Sequence, residues 1–373
     1  MIYLDSAATT LQKPACVAKA VSWAIQNAAS PGRGGHSAAM TAAEIVFSCR
    51  DEAAELFQVS DPANVIFTFN ATHSLNLAIK TLVHHGDTVV ISGYEHNAVT
   101  RTLNGIPNVN VQVANSKLFD SDETVRAFEE LLQRGANVVV CTHVSNVFGY
   151  ILPIEEISLL CQRYHIPLII DASQSAGVLP VSMEQLKAAF IAMPGHKGLY
   201  GPQGTGLLLC GQLPTPIMEG GTGSSSLLQT MPAFLPDRVE AGTHNVAGIA
   251  GLLQGLRFVK RIGTENIERH ECRLIKTLIR GLKKYRNIEV FSEQKNMLQT
   301  GVLSFRVLNR DCEQVGEWLS QKQIAVRSGL HCAPLAHKSA GTLETGTVRV
   351  SVSAFNKMWE MERFLNTIHF LSK

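Results

Sequence analysis

Between residues 64 and 192 the chain alternates short apolar runs with helical patterns, which limits it to repeated βαβ units. Strands are predicted over residues 64–69, 87–92, 110–114, 137–142, 166–170 and 188–192. Helices are predicted over 72–82, over 122–132 behind a cap at Ser121, and over 154–164. Units of this kind build an α/β fold, with a mainly parallel sheet covered by helices on both faces. Ligands of such sheets sit beyond the carboxyl ends of the strands.

Two of those ends carry chemistry. The run Ile166 to Ile170 ends in Asp171, and 26 residues later Lys197 lies in Pro194-Gly195-His196-Lys197-Gly198, just after another apolar strand. A lysine held there can be desolvated, lose its proton near neutral pH and form a Schiff base. Pyridoxal phosphate needs both groups: an amine for its aldehyde, and an acid that keeps its ring nitrogen protonated as an electron sink.

At 373 residues and 45% hydrophobic content, the chain can bury one large core or two. A net charge of +2 with 17% charged residues gives no electrostatic footprint for nucleic acid or a membrane surface. Residues 1–10 lack the pattern of a signal peptide and no apolar run is long enough to span a bilayer, so a soluble cytoplasmic protein is expected. Eight scattered cysteines without C-x-x-C spacing argue against a zinc site or a disulfide framework, and no metal is expected. A nucleotide-binding protein could share the βαβ pattern, but neither G-x-G-x-x-G after a strand nor G-x-x-x-x-G-K-[ST] is present.

An extended arm, residues 1–13, precedes a helix start at Pro14. A glycine-rich loop at 30–37 contains His36, and a loop at 220–226 reads as mobile. A large domain is expected over 14–255 and a smaller α/β domain over 256–373, with the arm packing near it. The pattern at 246–262 reads as a linking helix. Beyond it, helices are expected near 271–285, 313–321 and from 357, and strands near 302–306 and 347–352. Near the end, Arg327-Ser328-Gly329-Leu330-His331-Cys332-Ala333 sets a cysteine among small residues. His331 and Arg327, when charged, would favour its thiolate, the nucleophilic form.

These motifs, in this order over essentially the whole chain, resemble the class V branch of pyridoxal-phosphate enzymes (transferase fold type I), specifically the group II cysteine desulfurases and selenocysteine lyases. The resemblance implies Lys197 and Asp171 as cofactor residues and His96 as the ring stacked on the pyridine. Asn146 and Gln174 would bond its phenolic oxygen. Ala71, Thr72 and His196 would hold its phosphate, at a helix start suited to an anion. Thr243, in Glu240 to Asn245, would reach the phosphate of a second subunit, implying a homodimer. On the substrate side stand His36, Asn146, Arg327 and Arg349, the last as the fork that grips the carboxylate. Cys332 would take sulfur from L-cysteine as a persulfide, releasing alanine, and pass it to a thiol or acceptor protein, as in iron–sulfur cluster assembly. Selenocysteine lyases share every one of these motifs, while an aminotransferase or C–S lyase would not need Cys332. Departures from the family pattern are Ala71 for a common threonine, Pro194 for a serine, an added Gly198, Leu330 for a histidine, and the stretch 335–344.

Overall fold

The computed structural model describes residues 1–32, 34–293 and 298–371; Arg33 of the glycine-rich loop and the last two residues of the expected small domain lie outside them. The arm enters as β1 (Ile2–Tyr3), followed by α1 (Ala15–Asn27) and α2 (Ser37–Leu56). The alternating region gives β2 (Val65–Thr68), α3 (Ala71–Leu82), β3 (Thr88–Ser92), α4 (Asn97–Asn104), β4 (Asn110–Ala114) and α5 (Ser121–Gln133). It continues through β5 (Val138–Thr142), α6 (Ile154–Arg163), β6 (Leu168–Asp171), α7 (Met183–Leu186), β7 (Phe190–Pro194) and β8 (Gly206–Cys210). After α8 (Val246–Ile262) come α9 (Thr264–Leu282), β9 (Ile288–Phe291), β10 (Val302–Val307), α10 (Cys312–Gln321), β11 (Ile324–Ala325) and β12 (Arg327–Gly329). The chain closes with α11 (Pro334–Ser339), β13 (Thr347–Ser351) and α12 (Met358–Ile368).

Seven strands form the large sheet in the order β2-β8-β7-β6-β5-β3-β4. From β7 to β4 every pairing is parallel, while β8 runs antiparallel to both β7 and β2. The central strands are buried end to end, which is why they read as continuous apolar runs. Their register sets Asp171 beside Thr142 on one side and Ala192 on the other. The ends of β5, β6 and β7 therefore open at one level.

A second sheet, β12-β13-β10-β9, is wholly antiparallel and has its own apolar core with residues of α9, α10 and α12. The arm belongs to this body: β1 pairs with β11, and Leu4 is buried in the same core. Two local expectations need correction. The α5 cap is Asp120, whose carboxylate accepts from the Glu123 amide at 2.8 Å, and Ser121 is already helical. The helix expected from 271 begins at Thr264, because Gly263 takes φ +84 between α8 and α9 and lets one helix end and the next start. No helix among the described residues is long and apolar enough to cross a membrane.

Candidate active site

At the level where β5, β6 and β7 end lies a cavity of about 110 Å³. Eight residues expected at a cofactor site line it together: Ala71, Thr72, His96, Asn146, Asp171, Gln174, His196 and Lys197. Each lies at the end of a strand or just beyond it. After β2, Asn70 caps α3 by accepting from the His73 amide at 2.9 Å, so Ala71 and Thr72 form the first helical turn, whose amides have no partner within the helix. After β3, His96 caps α4, its Nδ1 accepting from the Ala98 amide at 3.0 Å. That bond fixes the ring, and burial keeps its pKa below the ordinary value. Asp171 is buried at the tip of β6, where its Oδ1 accepts from the Ser173 amide at 2.9 Å.

The Lys197 carbonyl accepts from the Tyr200 amide at 2.9 Å, but its side-chain amine makes no hydrogen bond or ion pair with any described residue. Desolvation pulls its pKa down to about 8 against the opposing attraction of Asp171, so the free amine is accessible near neutral pH. The arm holds the neighbouring residue: the hydroxyls of Thr9 and Thr10 donate to the His196 carbonyl, and His196 Nδ1 lies 3.0 Å from Thr9 Oγ1. Burial, with Lys197 and Lys13 close by, lowers His196 to about 4 and leaves it neutral. Gln174 is tied to the same arm, its Nε2 donating to the Ala7 carbonyl at 3.0 Å.

The small body brings the cysteine to the rim. Cys332 is exposed, and its carbonyl accepts from the Asn97 amide at 2.8 Å, beside His96. Asn146 Nδ2 donates to the His331 carbonyl at 2.8 Å, while the Asn146 carbonyl accepts from Arg349 Nη1 at 2.9 Å. One asparagine thus joins the crevice, the cysteine loop and the arginine. Both His331 (φ +50) and Cys332 (φ +57) are left-handed, a backbone state that packing must hold for residues other than glycine. The expected role of His331 needs correction. It is buried with Nε2 against Thr347, and burial together with Arg349 drives its pKa far down, so it carries no charge to favour a thiolate. Arg349 lies within electrostatic reach of Cys332.

Two expected residues stand apart from the crevice of their own chain. His36 is exposed and caps α2 by accepting from the Ala39 amide. Thr243 lines cavities bounded by Arg50, Glu240 and His244. Three carboxylates escaped sequence reasoning: Asp5, which pairs with Arg349; Glu95, which accepts from the Thr142 amide behind the crevice; and Glu271, buried on α9. Glu95 precedes His96 after a strand, and the resemblance marks it only as the acid of a Glu-His pair, with no role of its own.

The residues present fit pyridoxal phosphate. An amine with a pKa near neutrality, a buried aspartate on the next strand, a fixed imidazole and a helix start lie around one cavity. Pro194 also lines that cavity and supplies no donor there. The family model of class-V aminotransferases matches residues 2–364. A probable cysteine desulfurase of Methanothermobacter thermautotrophicus is 30% identical over 98% of this chain and 94% of its own length; one of Pyrococcus abyssi is 31% identical over 100% and 94%. Among solved structures, the apo cysteine desulfurase of Thermococcus onnurineus NA1 superposes with a TM-score of 0.89 at 30% identity, covering 100% of this chain and 94% of that one.

Proposed function

The chain belongs to the class-V aminotransferase family, and from that premise we propose that it is a pyridoxal-phosphate-dependent cysteine desulfurase that takes sulfur from L-cysteine onto Cys332 and releases alanine. The observation that carries the sulfur step is the fastening of the Cys332 loop to the crevice through Asn97 and Asn146. An aminotransferase would have no use for a cysteine placed there.

Lys197 would hold the cofactor's aldehyde, Asp171 its ring nitrogen, His96 its ring face, Asn146 and Gln174 its phenolic oxygen, and Ala71, Thr72 and His196 its phosphate. When bound, that group supplies an electrophilic carbon and an electron-accepting ring. The chain's own work is then to place and protonate. Arg349 seats the substrate carboxylate with its planar fork, and Arg327 adds positive charge at the rim. Lys197, with a pKa of about 8, takes up and returns a proton at Nζ. The Cys332 thiolate attacks the substrate sulfur: an S–S bond forms, the C–S bond breaks, and the carbon keeps the electron pair and gains a proton. Two sulfurs are oxidised and one carbon is reduced, so no outside oxidant is needed. The persulfide then passes to a thiol or an acceptor protein.

A homodimer, with Thr243 and His36 serving the partner's crevice, accounts for their distance from their own, and a cytoplasmic setting suits a persulfide carrier. Selenocysteine is a second substrate that the same residues would accept. The deciding experiment measures alanine and sulfide from L-cysteine with a reductant, for the native protein and Cys332→Ser. Release by the native protein alone supports the reading. A yellow protein inert to cysteine would sink it.

A further inference from the structure

We propose that Glu271 relays protons to and from Lys197 through a small cavity next to the crevice, an inference that rests on the role given to Lys197 above. This cavity, of about 30 Å³, shares Lys197, Ser173 and Gln174 with the crevice and has Glu271 in its opposite-domain wall, contributed by α9. Its volume suits one or two waters, each needing roughly 10–15 Å³ of such space. Ser6 and Ser173 are among its walls, and their hydroxyls, bonded to no described residue, can hold a water, whereas the Thr10 and Ser353 hydroxyls are engaged with His196 and Asn356.

Glu271 is buried, yet its carboxyl makes no hydrogen bond or ion pair with any described residue. A buried carboxyl without a partner is costly unless something in the cavity engages it. Room for it is made at Gly301, where a Cβ would come within 2.3 Å of Glu271 Oε2. The titratable groups around it are Lys197 and Tyr200, which also line the cavity, and Glu268 one turn back on α9. Tyr200 is committed, its hydroxyl oxygen accepting from the Ala354 amide at 2.9 Å. Burial raises Glu271 to about 8, and burial lowers Lys197 to about 8, so a proton moves between them with little driving force either way. In the step, the Glu271 O–H breaks, a water takes that proton and gives another to Lys197 Nζ, and a carboxylate remains. The reverse restores it, and nothing is oxidised.

Glu271→Gln keeps the shape and a neutral group but removes the proton. At about pH 7 the native-minus-variant infrared difference spectrum of the apoprotein should show one protonated-carboxyl stretch, that of Glu271, because the Glu95 band is common to both. In the holoprotein, the native colour should inflect near pH 8 as Glu271 ionises, and the variant should lack that inflection. For alanine release from L-cysteine, kcat should fall by about tenfold to a hundredfold with KM unchanged, and Glu271→Asp should recover part of it. Should Glu271→Gln not fold, Glu271→Asp, which retains the acid and shifts the carboxyl band, carries the same comparison. Loss of no band, or an unchanged colour titration and kcat, overturns the relay. A native protein that makes no alanine overturns the desulfurase reading instead, and the infrared and colour titrations then decide Glu271 alone.

Discussion

Arg349 donates from Nη2 to Asp5 Oδ1 at 2.8 Å, so the guanidinium assigned to the substrate carboxylate already holds a carboxylate of its own chain. Its Nη1 is bound to the Asn146 carbonyl, and its buried Nε has no partner in the described structure. An incoming amino acid must therefore share or displace Asp5. Asp5→Asn removes the competitor and leaves a buried cation short of charge. That costs about 1–3 kcal/mol, less than in a fully enclosed pair because Asp5 is partly open. Adding L-alanine, the inert product, should then raise the melting temperature of the Asp5→Asn holoprotein more than that of the native one. Equal shifts would show that Arg349 is not the carboxylate seat.

Lys197 also leaves a mark on stability. In the folded apoprotein it titrates at about 8, and in the unfolded chain at the ordinary 10.5. Between those values the unfolded state binds more protons, so stability rises with pH across that window, and the cost of burying the amine is fully present below it. Lys13, lowered to about 8 by burial, adds a slope of the same sign. Burial raises thiols such as Cys161 and Cys272 and opposes this rise toward pH 10, so the comparison is with Lys197→Met: between about pH 7.5 and about pH 10 the native apoprotein should gain more stability, or lose less, than the variant. Identical slopes in the two proteins would contradict the desolvated amine.

The local patterns and the local motifs agree with the structure for a shared reason: both depend on residues close in the chain. Residues 110–114 form β4 as their alternating pattern predicts, and Asp171 and Lys197 share a cavity because they stand at and beyond the ends of adjacent parallel strands. What could not be read depends on contacts between distant segments. The Asp5–Arg349 pair joins residues 344 positions apart, and the charge of His331 is settled by burial against Thr347, which no local pattern encodes. Capping at α5 turned on one residue, because Asp120 and Ser121 are both good caps and only geometry chooses. The seventh strand of the large sheet, β8, lies just beyond the lysine stretch, where the sequence reading places no strand.

Glu95 should act on stability with the opposite sign to Lys197. It is fully buried; Ser92 and the Thr142 amide both donate to its Oε1, and its Oε2 has no partner in the described structure. Burial, reinforced by Asp171, raises its pKa to about 8 from the ordinary 4.5. The folded state thus keeps a proton that the unfolded state loses between those values. Its stabilising contribution is complete below about 4.5 and is lost as pH rises toward 8. Glu271 behaves alike. Glu95→Gln retains the Oε1 acceptor without the ionisation. Its apoprotein should lose less stability than the native one between about pH 5 and about pH 8. A native-like fall in the variant would mean that Glu95 is already ionised when folded.

Arg50 and Glu240 form a buried two-point pair, Nη1 to Oε1 at 3.0 Å and Nη2 to Oε2 at 2.9 Å, and the same carboxylate accepts from the Phe67 amide at 2.7 Å and meets His244 at 2.6 Å. This network fixes both ends of the segment that presents Thr243. Arg50→Met would strand a buried carboxylate and should cost about 3–5 kcal/mol in denaturant unfolding. Combining it with Glu240→Leu removes the stranded charge as well and should recover a large part of that loss, because two apolar side chains avoid the desolvation that the pair must offset. If Thr243 serves a neighbouring subunit, Arg50→Met should also lower the fraction of dimer in sedimentation at equal protein concentration, whereas Lys197→Met should leave it unchanged. A variant that loses stability while dimerising normally would separate the network's structural role from the placement of Thr243, and would count against the shared site.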